Sequence, residues 1–91
     1  MNLPKCCTLR IQGDVQGVGF RVEARKAAER LGIAGFVRNE PDGSVFIAAE
    51  GSATSVEAFV AWCSRGPRGA RVIRVQEEEC PAGDFRTFEI R

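Results

Sequence analysis

The sequence has no histidine and no tyrosine, and only one methionine and one tryptophan in 91 residues. Without histidine the chain lacks the commonest general acid–base side chain and the usual partner of a serine or cysteine nucleophile. Four cysteines are present, Cys6, Cys7, Cys63 and Cys80, but none forms a C-x-x-C pair and their spacing matches no zinc pattern. No metal and no cofactor are therefore expected, and the cysteines are expected to be partly buried, reduced thiols in a cytoplasmic protein. No apolar run approaches the ~18 residues of a bilayer span. The opening "MNLPKCC" has neither the apolar core nor the small-residue cleavage pattern of a secretory signal. Excess charge is missing as well. Thirteen Lys and Arg face twelve Asp and Glu, so 13 − 12 leaves +1. Bulk attraction to nucleic acid or to an anionic membrane is not expected. Any anion site has to be local.

What is present is an ordinary globular composition, 44% hydrophobic and 27% charged, at a length that suits one domain over residues 1–91. "CTLRIQG" alternates, with Cys7, Leu9 and Ile11 on one face, as a half-buried strand does. From Phe20 to Leu31 the period becomes helical: Phe20, Ala24, Ala27, Ala28 and Leu31 share a stripe. Glu23 is spaced to pair with Lys26, and Arg25 with Glu29, on the wet side. Gly32 is placed to stop the helix. "IAGFVRN" and "SVFIAAE" read as strands joined through "EPDG", a hairpin signal. "TSVEAFVAWCSRG" predicts a second helix with Thr54 and Glu57 as its capping box, Val56, Phe59, Val60 and Cys63 on the inner stripe, and Trp62 beside it. "ARVIRVQEE" and "RTFEIR" supply the last strands, with Phe88 and Ile90 inward. The order β-α-β-β-α-β plus a short C-terminal strand predicts an α/β (α+β) ferredoxin-like sandwich. Its two helices lie on one face of a mostly antiparallel sheet.

The first strand runs into "GDVQGVGFR", Gly13 to Arg21, with three glycines and a closing arginine. The first N–H groups of a helix lack partners and carry positive potential, so a glycine-rich turn into a helix can receive a phosphate. Arg21 would add a guanidinium able to grip that phosphate with two parallel hydrogen bonds. The loop is not a Walker motif, since no Lys-Ser/Thr follows. It is not a dinucleotide fingerprint either, since Gly17 and Gly19 are followed by Val22. Spacing alone leaves a second reading open: a plain strand-to-helix turn with a surface arginine.

Two motifs carry a resemblance. "IQGDVQGVGFR" (Ile11–Arg21) and "GFVRNEPDGSVFIAAEG" (Gly35–Gly51) resemble the two signatures of the acylphosphatases, and "GPRGARV" and "FEIR" are also similar, so that the match runs from about Leu9 to Arg91. The resemblance implies the same sandwich and metal-free hydrolysis of small acyl phosphates to a carboxylate and inorganic phosphate. It assigns phosphate binding to Arg21 and to the main-chain N–H groups of Val15, Gln16, Gly17, Val18, Gly19 and Phe20. It assigns orientation of the attacking water to Asn39, which by itself reads as a turn residue before Pro41. The partners implied are an acyl phosphate and inorganic phosphate, with no nucleic acid and no membrane, for a monomer. The chain departs from the common pattern at Asp14, where many relatives carry Arg, and a carboxylate there opposes anion binding. Phe36 replaces a frequent Trp or Tyr.

The remaining features have bland readings: the Gln16 side chain in solvent, Glu77–Glu79 as a solvated strand end, and Arg65, Arg68, Arg71 and Arg74 as a solvated face. The rivals are non-enzymatic. An RNA-binding module would need stacking aromatics and a basic face, of which "SVFIAAE" offers only Phe46. A regulatory anion-binding domain would share the cradle but would have no use for Asn39.

Overall fold

Alternation in the first strand decides which side of the sheet is wet. A computed structural model describes residues 3–83 and 85–91. In it β1 (Pro4–Asp14) buries Cys7, Leu9 and Ile11 completely, while Thr8, Arg10 and Gln12 face the other way. It is followed by α1 (Phe20–Leu31), β2 (Ala34–Asn39), β3 (Val45–Ser52), α2 (Ala53–Arg65), β4 (Arg71–Glu79) and β5 (Phe88–Ile90). The sheet order is β4-β1-β3-β2-β5. All neighbours are antiparallel except β2 and β5. Both helices cover one face, as the element order predicts.

The core between the layers is built from Leu9, Ile11, Val37, Val45, Ile47 and Ala49 of the sheet against Phe20, Ala24, Ala27, Ala28, Val56, Phe59 and Cys63 of the helices. Alanines on α1 let it approach the sheet closely, and bulk comes from α2. Phe59 meets Phe88 edge-on at 5.8 Å and stacks on Trp62 at 6.3 Å, and Trp62 in turn meets Phe20 at 5.6 Å. This chain of rings ties β5 and α2 to the first residue of α1. Gly32 closes α1 in the left-handed conformation, its N–H shared by Ala28 and Glu29 carbonyls. Lys26 and Glu23 pair at 3.1 Å, but Arg25 and Glu29, both exposed, form no ion pair among the described residues. The cap of α2 also differs from the sequence reading. Ser52, not Thr54, is the N-cap, its hydroxyl accepting the Ser55 N–H at 3.2 Å. The helix starts two residues earlier than its apolar stripe suggests, because β3 runs straight into it.

Among the described residues no helix lies on the other face of the sheet. Phe36 and Phe46 lie on it 6.0 Å apart, with Phe85 5.9 Å from Phe36. Three guanidiniums lie over these rings: Arg10 at 5.6 Å and Arg38 at 4.8 Å from Phe46, and Arg91 at 4.2 Å from Phe36. Carboxylates hold the cations in place, Glu40 for Arg10 and Arg38, and Glu89 for Arg91. Phe36 is only 8% exposed beneath this roof.

The cysteines correct the expectation of four thiols. Cys6 and Cys80 are joined in a disulfide that spans 74 residues of sequence, fastening the start of β1 to the residue after β4. Adjacent strands with Cys6 and Cys80 in register bring the sulfurs together, a pairing that sequence distance conceals. Closing so long a loop restricts the unfolded chain, so reduction or Cys80→Ser is expected to lower stability by about 2–4 kcal/mol. The bond lies roughly 23 Å along β1 from Gly13 at about 3.3 Å per residue, so activity below the lowered melting point should stay within about twofold. Thermal unfolding with and without reductant checks this, and an unchanged midpoint would refute it.

Candidate functional site

The end of β1 is where the chain stops behaving as a regular strand. Gln12 pairs with Arg74 and Gly13 with Val72, leaving Ile73 unpaired in a bulge of the edge strand. Bulges bend the strands they interrupt and are common beside active sites. The loop then runs to α1 between two fully buried anchors, Val15 at 1% and Phe20 at 2% exposure. Between them Gly17 and Gly19 both have φ of +77°, a left-handed backbone that side chains disfavour, and nothing lies within 4 Å of where a Cβ would project.

Helix α1 opens without a side-chain cap. Its first internal main-chain bond runs from the Glu23 N–H to the Gly19 carbonyl at 3.1 Å, so the N–H groups of Phe20, Arg21 and Val22 precede any helical partner. Arg21 stands in this first turn, exposed, and forms no ion pair among the described residues. A cation there opposes the helix dipole. That placement serves an anion better than it serves the helix.

Asn39 reaches the same place from another strand. Ile11 pairs with Val45 and Val45 with Asn39, so one rung crosses β1, β3 and β2 just before the loop. A cleft of about 190 Å³ results, lined by Val15, Gly17, Gly19, Phe20, Arg21, Val22, Asn39 and Ile90. It combines bare backbone, one guanidinium and one carboxamide with an apolar wall. No other described side chain ties down the Asn39 carboxamide.

Of the residues expected at the site, Val15, Gly17, Gly19, Phe20, Arg21 and Asn39 come together around this cleft. The side chains of Gln16 and Val18 point elsewhere. Val18 packs against the core, and Gln16, expected in solvent, is half buried with its amide on the β2–β3 turn. Asp14 is exposed at the end of β1 opposite Arg71 and does not line the cleft. Two lining residues were not foreseen. Val22 is an apolar residue 46% exposed on a helix face otherwise wet, which the helical period could have flagged. Ile90 arrives through the parallel pairing of β5 with β2, Val37 opposite Ile90, and long-range parallel pairing leaves no local sequence signal.

Nucleophilic cysteine is excluded by burial. Cys7 and Cys63 are both fully buried. Burial, helped by the Glu77 charge, pushes the Cys7 thiol up to about 11, and burial pushes Cys63 up as well. Such thiols are unreactive near neutrality. No group of three or more His, Cys, Asp or Glu among the described residues is arranged to hold a metal ion, and no helix among them is long and apolar enough to cross a membrane.

Residues 7–90 match the family model described as Acylphosphatase. The chain is 46% identical over 85 residues to an acylphosphatase of Acaryochloris marina, covering 93% of this chain and 91% of that one. It is 52% identical over 82 residues to an acylphosphatase of Rubrobacter xylanophilus, covering 89% and 74%. Among solved structures, an acylphosphatase from Coxiella burnetii superposes with a TM-score of 0.93 at 37% identity, covering 99% of this chain and 94% of that one.

Proposed function

Because this chain belongs to the acylphosphatase family, we propose that the cleft between the Gly13–Arg21 loop and Asn39 is where it hydrolyses acyl phosphates. The enzyme is a hydrolase of the carboxyl–phosphate bond, releasing a carboxylate and inorganic phosphate. The observation that carries the site assignment is the convergence of Arg21, bare loop backbone and Asn39 on one cleft from separate parts of the chain.

The chemistry suits so sparse a set of groups. A carboxylate leaves without needing a proton, and phosphoryl transfer of this kind spreads negative charge over the equatorial oxygens in a loose transition state. Arg21 and the uncapped N–H groups at the start of α1 meet that charge. Asn39 carries both an acceptor and a donor, so it holds a water in line with the scissile bond. The water oxygen forms a bond to phosphorus as the phosphorus–acyl oxygen bond breaks. The water's proton passes to a phosphate oxygen, and the acyl group departs as a carboxylate. No protein base is required. Glu40 is engaged with Arg10 and Arg38 across the sheet's other face. The apolar wall of Val15, Phe20, Val22 and Ile90 receives the acyl group.

The edge strand β4 presents Arg71, Arg74 and Glu77–Glu79 to solvent, and charges of this sort resist edge-to-edge pairing; this supports a monomer. A nucleic-acid reading is disfavoured because the aromatics of the open face lie under guanidiniums that are already paired with carboxylates. The test is release of benzoate and phosphate from benzoyl phosphate by the purified protein in excess chelator. Hydrolysis competitively inhibited by inorganic phosphate is expected. Phosphate binding without turnover would instead make the domain an anion sensor.

A further inference from the structure

We propose that the Gln16 side chain is a positioning residue that fixes Asn39 relative to the phosphate loop; this rests on the reading above, in which Arg21 binds phosphate and Asn39 orients water. The loop and Asn39 have no direct main-chain connection. The loop follows β1, Asn39 ends β2, and β3 lies between those strands. The sheet ladder sets Asn39 against the end of β1, but the loop beyond Asp14 leaves that ladder, so the distance from phosphorus to the water held by Asn39 would depend on side chains that tie the loop down.

Gln16 supplies the link. Its Nε2 donates to the Glu40 carbonyl at 2.8 Å and to the Ser44 carbonyl at 2.9 Å. Among the described residues no other hydrogen bond joins residues 15–20 to the 40–44 turn. Both partners are carbonyl oxygens, so only the NH₂ end of the amide can face them, and both of its N–H donors are used. Glu40 directly follows Asn39, and Gln16 directly precedes Gly17 of the cleft.

The turn that Gln16 grips is itself stiff. The Glu40 N–H donates to the Ser44 carbonyl at 2.9 Å and the Gly43 N–H to the Glu40 carbonyl at 3.1 Å. Asp42 Oδ1 accepts from the Ser44 amide at 2.9 Å and from its hydroxyl at 2.6 Å. These two bonds hold the Asp42 carboxyl below the usual carboxylate range. Arg10 donates to the Ser44 hydroxyl from β1 at 3.2 Å. A loop fastened to so rigid a turn keeps its register with Asn39, and small losses of register are costly in phosphoryl transfer.

The test uses Gln16→Met, close in shape but without donors. Its kcat on benzoyl phosphate is expected to fall about 10-fold or more, with KM and the Kd of inorganic phosphate within about twofold of wild type. In an Asn39→Ala background the same change should cost less than about twofold, because nothing remains to position. A full multiplicative loss there would overturn the proposal, and so would a parallel loss of phosphate affinity in the single variant. If Asn39→Ala itself retains kcat, the fault lies in the assignment of Asn39 and not in the link. Gln16→Glu gives a second readout that does not depend on Gln16→Met folding. A neutral carboxylic acid donates one hydrogen bond, whereas a carboxylate only repels the two carbonyls. Its kcat relative to wild type at the same pH should therefore rise several-fold between about pH 7 and pH 4, as the carboxylate takes up its proton. A flat ratio refutes the proposal.

Discussion

Arg21→Ala is expected to lower kcat/KM for benzoyl phosphate on the order of 10³-fold or more, the scale on which one arginine acts in phosphoryl transfer, and to abolish measurable binding of inorganic phosphate. Arg21 does no evident structural work. It is exposed, it forms no ion pair among the described residues, and it sits in the first turn of α1, where a positive charge is unfavourable. Its removal should leave the melting temperature unchanged or slightly raised. Arg21→Lys keeps the charge but loses the planar fork, so it should recover only part of the activity. Calorimetric phosphate titration and initial rates check both variants. Phosphate binding by Arg21→Ala equal to that of wild type would end the cradle model.

Asn39→Ala is expected to behave differently. It should cost about 10²–10³-fold in kcat, comparable to losing one preorganised polar group at a transition state, while the Kd of inorganic phosphate changes by less than about threefold. In the proposed site, phosphate is held by the loop and Arg21 whether or not a water is attacking, whereas a water-orienting group acts only in the chemical step. Asn39 ends β2 in register with Val45, and its side chain carries no hydrogen bond to another described residue, so its loss should leave the hairpin standing. A matched fall in phosphate affinity and kcat would make Asn39 a binding residue and would remove the water-orienting role.

The strands and helices were legible because their periods are clean: period two through Cys7, Leu9 and Ile11, and a helical step from Phe20 to Leu31, matched residue for residue by α1. The residues that line the cleft were legible on two grounds: Gly17 and Gly19 through a turn that needs a left-handed backbone, and Arg21 and Asn39 through the resemblance. What escaped is what depends on three-dimensional register. The Cys6–Cys80 bond follows from two strands lying side by side, not from any spacing between 6 and 80. Ile90 enters the cleft through a parallel pairing at long range. The Thr54–Glu57 capping box satisfied a local rule, but the strand-to-helix junction put the cap at Ser52. Gln16 looked like a solvated loop residue because its partners are main-chain carbonyls, which a sequence cannot display.

The arginine-covered face of the sheet has a consequence for how its aromatic residues stay dry. Many sheets with aromatic residues on both sides need a further helix layer to keep water off them. Here methylene stems and flat guanidinium planes shelter Phe36 and Phe46, so side chains stand in for a missing tier of secondary structure. The back of the sheet is thus kept dry by charged side chains drawn from its own strands and from Arg91.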